Sequence, residues 1–276
     1  MFFFDEMRIF FLHPFQIEER ASINQGDFMD KVIRIGPGHL PYLHPLVKWR
    51  AMDLKSLRAE ASLAHKENNF YRIIRYLEAQ GVIKTWRDPF SGRKYAYLTP
   101  EGQKACWGEE NSVGVSTETL LHDIKVSEIA RTFLVKHWAA EVELEHEYSD
   151  KRVFASTRRV IPDAIFHVFK DGKRYRIAFE LELTRKKIDR ILYKAREYRG
   201  DLLYYNYVLY LFADDQLRNS YYRLIREHLD CSIGEKFMFF SHNGLLKKDV
   251  DLGAARGIFN DKEQTLGELM APSFGK

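Results

Sequence analysis

Between residues 65 and 80, apolar side chains recur at Phe70, Ile73, Ile74 and Leu77, the spacing of one helical face, and Gly81 stands where a helix C-cap belongs. Ahead of it, 45–51 and 53–61 read as short helical segments, the second with Asp53 as its N-cap. Behind it, 82–87 and 94–98 read as strands joined by Asp88-Pro89-Phe90-Ser91-Gly92-Arg93, and Thr99-Pro100-Glu101-Gly102 starts a further short helix. The first block is therefore three helices followed by a hairpin.

A run of Gly, Glu, Asn, Ser and Val at 108–116 breaks the pattern and is read as a domain boundary. Beyond it the order is helix (116–138), strand (141–148), strand (160–169), strand (173–183), helix (184–199), strand (207–212), helix (215–229) and strand (236–241). This is an α/β pattern with a leading helix and a hairpin closed by Asp171-Gly172. With that two-residue loop, Lys170 pairs with Lys173, and Ala164, Phe166 and Val168 share an apolar face with Ile177, Phe179 and Leu181. Residues 1–36 read as an N-terminal arm and 243–276 as a C-terminal tail, neither with an assigned role.

Composition is that of a folded protein: 276 residues, 45% hydrophobic and 30% charged. Two cysteines, Cys106 and Cys231, provide neither a disulfide framework nor a four-ligand zinc site, and a reducing cytoplasm fits them. No stretch reaches the roughly 20 apolar residues of a membrane helix. A net charge of +4 says little about partners, but from Asp53 to Lys104 ten basic residues face six acidic ones. On the third helix Lys66, Asn68, Asn69, Arg72 and Arg75 lie off the apolar stripe, and the hairpin adds Arg87, Arg93 and Lys94. Such donors suit phosphates and base edges of double-stranded DNA.

The same hairpin register concentrates acids in the second block. Asp163 falls opposite Glu180, and Glu182 is its diagonal neighbour on one face. Carboxylates side by side repel, so the arrangement calls for a cation, and oxygen-only ligands select Mg²⁺ or Mn²⁺. Glu128 shares an arc of the leading helix with Leu121, Ile124 and Val135 and is expected to point inward as a further metal ligand. On helix 184–199, Lys187, Lys194 and Tyr198 share one flank beside the apolar arc, and the helix is rich in Lys and Arg, as a phosphate-binding surface requires.

The block at residues 71–102, "YRIIRYLEAQGVIKTWRDPFSGRKYAYLTPEG", resembles the recognition helix and wing of MarR- and PadR-like winged helix-turn-helix regulators. "IPDAIF…RIAFELELT" resembles the PD-(D/E)XK nuclease superfamily. With "LLHDIKVSEIA" and "KAREY" it is similar to the replication-relaxation proteins of plasmids and mobile elements, in which a winged helix also precedes a nuclease-like domain. The resemblance implies a winged helix over 37–110, a nuclease-like domain over 116–242 and a functional set of His122, Asp163, Glu180, Glu182, Lys194 and Tyr198. The nuclease pattern ends in a lysine where this chain has Glu182, and Lys187 or Lys194 is the expected substitute.

Glycine-rich phosphate loops, G-x-S-x-G and H-E-x-x-H are absent. The expectation is thus a cytoplasmic DNA-binding protein of plasmid or mobile-element DNA processing, with Mg²⁺-assisted phosphodiester hydrolysis as its chemistry. Its partners are duplex DNA, a second copy as homodimer, and a relaxase or replication protein. The competing expectation is a non-catalytic winged-helix regulator or relaxosome accessory protein that retains the fold.

Overall fold

The hairpin turn at Asp171-Gly172 fixes the centre of the molecule. Both residues adopt positive φ, 51° and 73°, the geometry of the tight turn that Asp-Gly favours. The strands it joins, β5 (Ala164–Lys170) and β6 (Lys173–Glu182), pair from Lys170↔Lys173 to Ala164↔Phe179, the register read from the sequence. The computed structural model describes residues 35–61, 67–107, 119–147, 160–200, 204–229 and 235–271. The arm up to residue 34, the boundary run at 108–116, Lys66 and the side chain of Asn68 lie outside them.

In the first block, α1 (Leu40–Trp49) is followed by β1 (Ala51–Asp53), α2 (Leu54–Ala61), α3 (Glu67–Ala79), the hairpin β2 (Ile83–Arg87) and β3 (Lys94–Leu98), and α4 (Pro100–Trp107). Two sequence signals act as expected. Asp53 Oδ1 accepts from the Ser56 amide at 3.0 Å, capping α2. Gly81, at φ 75°, ends α3 with the paired bonds Gly81 N–H to Glu78 O and Val82 N–H to Leu77 O. One local expectation fails. Ala51 does not end a helix; Arg50 at φ 59° turns the chain, and Ala51–Asp53 pair antiparallel with Tyr95–Tyr97 as a third strand.

The second block begins with α5 (Leu120–Val135) and β4 (Glu141–Leu144). After β5 and β6 come α6 (Ile188–Gly200), β7 (Tyr207–Phe212), α7 (Asp215–His228) and β8 (Phe237–Ser241). Residues 243–271 are not a detached tail. They contribute β9 (Arg256–Phe259), β10 (Lys262–Thr265) and α8 (Leu266–Met270), and the seven-stranded mixed sheet runs β10-β9-β8-β7-β6-β5-β4. Strands β6, β7 and β8 are parallel; the others pair antiparallel.

Strand alternation divides the interior. Phe166, Phe179, Leu209, Leu211 and Phe240 face α5, where Phe133 stacks on Phe166 at 4.2 Å. Ile165, Ala178, Tyr210, Phe212 and Phe239 face α6 and α7. A sheet buried on both faces between helices defines the α/β class. The core on the α5 side continues into the first block through Tyr42, Leu46, Leu77 and Leu98, so the described residues form one compact unit rather than two independent cores. No helix among the described residues is long and apolar enough to cross a membrane.

Candidate functional site

The acids of β6 lie on the α6 side because residues 178, 180 and 182 alternate with the α5-facing 177, 179 and 181. Asp163 precedes β5 and does not continue its register to Glu180: its amide donates to Phe179 O at 3.0 Å, the residue already paired with Ala164, and its Oδ2 accepts from the Leu181 amide at 2.7 Å. Helix α6 lowers Lys194 and Tyr198 onto Glu180. Lys194 Nζ donates to one carboxylate oxygen and the Tyr198 hydroxyl to the other. The first turn of α5 brings His122, whose Nε2 lies 3.2 Å from Asp163 Oδ2 and 3.1 Å from Leu181 O. Lys186 Nζ stands 4.0 Å from Glu182 Oε2. His122, Asp163, Glu180, Glu182, Lys194 and Tyr198 therefore converge on one site.

Burial and pairing set its electrostatics. Burial opposes charge on His122, but hydrogen bonds and attraction from Asp123 and Asp163 raise it to about 10, so it is a cation at neutral pH. Asp163, despite burial, is held below the usual carboxylate range by His122 and Lys194. Glu180 is only 1% exposed, and burial pushes it up to about 8 against the pull of Lys194. Burial, aided by the negative charge of Asp163, leaves Glu182 above its ordinary value against the pull of Lys194 and Lys186. Lys194 stays a cation, because Glu180 and Asp163 outweigh its desolvation.

This arrangement does not fit a divalent cation. Both oxygens of Glu180 are engaged, Asp163 Oδ2 is shared by His122 and a backbone amide, and two side-chain cations stand where a metal would have to enter. Among the described residues no three His, Cys, Asp or Glu side chains are placed to hold a metal ion. The repulsion inferred for the acids is relieved from within the chain.

Two expected members are elsewhere. Glu128 is not a ligand beside Asp163. It accepts from the Tyr95 hydroxyl and from Lys125 Nζ at 2.8 Å, and Arg93 Nη1 lies 3.5 Å away, so it joins α5 to the first block. The helical arc was misleading because α5 is enclosed on two sides, while Val135, placed on the same inward arc, is 78% exposed. Lys187 is exposed and precedes α6, which starts at Ile188 rather than Thr184, so it takes no place in the cluster.

On α3, Arg72 and Arg75 are exposed, with Arg72 donating to Asn69 Oδ1 at 2.8 Å, while Phe70, Ile74 and Leu77 are buried. Arg87 and Lys94 are exposed on the hairpin. Arg93 is not a free wing-tip cation, because it is held between Glu128 and Asp249.

Several contributors escaped the sequence reading. Arg50 Nη1 lies 3.3 Å from Asp123 Oδ2, and a small cleft lined by Arg50, His122, Asp123, Glu145, His146 and Asp163 opens beside the cluster. Burial and Arg50 push His146 down to about 4, so it is neutral there. Tyr210 stands beside Glu180 across the β6–β7 pair. Asp123 adjoins His122 in sequence, but nothing in the pattern signalled Arg50, whose place depends on an unusual backbone turn. Compared with protein-family models, curated proteins and solved structures, the chain matches none of them.

Proposed function

We propose that this chain is a cytoplasmic DNA-binding protein of the replication-relaxation kind, an accessory or regulatory factor rather than a hydrolase. In this reading residues 37–110 act as a winged helix on duplex DNA, and the C-terminal block is a nuclease-like scaffold. The observation that carries the DNA half is the two-sided character of α3: Phe70, Ile74 and Leu77 anchor it, Arg72 and Arg75 are exposed, and Arg87 and Lys94 are exposed on the hairpin that follows. That is the disposition of a helix presented to a groove, with a basic hairpin at the backbone. The acid cluster supports the accessory role, since Lys194, Tyr198 and His122 satisfy the carboxylates a metal would need.

The test is duplex affinity. Arg72→Ala plus Arg75→Ala is expected to weaken binding by roughly 1–3 kcal/mol per lost base contact. Unchanged affinity at moderate salt removes α3 as the reader.

A Mg²⁺- or Mn²⁺-dependent deoxyribonuclease is the second reading. Its support is Glu182 Oε2, a buried oxygen without a hydrogen-bond partner among the described residues. Millimolar Mn²⁺ is expected to leave the melting temperature unchanged; a clear rise, together with cleavage of supercoiled DNA, favours the hydrolase.

A further inference from the structure

Helix α6 has two working sides. Inward it buries Ile191, Ala195 and Tyr198 against the sheet, and Lys194 turns to Glu180, while Lys186, just ahead of the helix, approaches Glu182. Outward, Tyr193 is 53% exposed, a large aromatic ring that the fold leaves in water. Arg190 and Arg196 stand one turn to either side of it, both exposed. Exposed Arg185 and Lys187 continue the basic surface ahead of the helix and Arg199 at its end, against Asp189 and Glu197. Ile188 adds apolar surface, 48% exposed.

We infer that this outer face of α6 is a single-stranded nucleic-acid site, with Tyr193 stacking on a base while Arg190 and Arg196 hold the flanking phosphates. Cations alone would suit any phosphate backbone. The ring decides for a single strand, because a paired duplex keeps its base faces stacked on one another, whereas an unpaired base offers a face to an aromatic side chain. The placement is separate from α3: α6 covers the sheet face opposite the one that α5 and the first block share. A duplex on α3 and a single strand on α6 therefore occupy different surfaces, an arrangement suited to DNA that is partly unwound.

The full chain is titrated by fluorescence anisotropy with labelled oligothymidylate and, separately, with a duplex. Tyr193→Ala is expected to weaken oligothymidylate binding about five-fold or more with duplex affinity unchanged, and Tyr193→Phe to keep it. Arg190→Glu plus Arg196→Glu is expected to weaken it and to flatten its salt dependence. Failure of the wild type to bind oligothymidylate, an unaffected Tyr193→Ala, or equal losses on both DNAs overturns the site. Arg72→Ala plus Arg75→Ala is expected to lose duplex affinity and retain oligothymidylate affinity; if it retains both, the reading of α3 fails while the α6 site stands.

Discussion

His122 Nε2 lies 3.2 Å from Asp163 Oδ2, and the same nitrogen reaches the carbonyl of Leu181 at 3.1 Å. The ring thus ties the start of α5 to the acidic hairpin inside the sheet. Because the pair raises His122 to about 10, protonation and folding are linked.

The His122 contribution is fully present below the unfolded value of 6.5 and is lost as pH rises through about 10. His122→Gln should therefore be most destabilising near pH 6 and approach wild type near pH 10. The difference closes by at most about 1.4 kcal/mol per pH unit. Urea denaturation of both proteins at several pH values reads it; a gap independent of pH means that the imidazolium is not the stabilising species.

Asp163→Asn should lower stability at neutral pH by about 2 kcal/mol, the scale of a hydrogen bond to a charged group. Viewed as facing acids alone, Asp163 and Glu180 predict the opposite sign, since removing one like charge relieves repulsion. The cationic His122 and the Leu181 amide reverse that expectation. A thermal melt decides, with a higher melting temperature for the variant restoring repulsion as the dominant effect.

Lys194→Met should cost about 2–3 kcal/mol, because it leaves Glu180 buried without its cation. Glu180 then takes up a proton more readily, and a folded value raised above the unfolded 4.5 means that stability falls as pH climbs past 4.5. Wild type, with Glu180 at about 8, shares that decline, so the added defect of the variant opens as pH rises through about 8 and is smaller at pH 6 than at pH 9. Adding Glu180→Gln should recover part of the loss, and a double-mutant cycle with no coupling would contradict the pairing.

The hairpin was legible because Asp-Gly specifies its own turn and the alternating apolar face allows one register. From that register Glu180 and Glu182 fell on one face of β6 by arithmetic, whereas Asp163, expected opposite Glu180, bonds through its amide to Phe179 O because the regular pairing ends at Ala164. Tyr198 was legible with Lys194 from their shared helix flank, whereas the residue pattern alone carried no signal for His122, whose place depends on how α5 docks against the sheet. Strand β9 was missed because Arg256-Gly257-Ile258-Phe259 is too short for a periodic signal. Its Gly257 is needed for contact: a Cβ there would lie 2.2 Å from Phe239 O. Glu128 was misplaced for a different reason. A helical wheel assumes one wet side, and α5 has neighbours on both.

That enclosure of α5 has a consequence for motion. Ser127 Oγ donates to Trp49 O at 2.6 Å in the first block, while Ile129, Ala130 and Phe133 sit in the apolar core shared with the sheet. Local breathing that frees one side of the helix leaves the other side packed, so no small fluctuation bares its peptide groups to solvent. Amide protons in the buried middle turns of this helix must then wait for both packed sides to open before trading with deuterium.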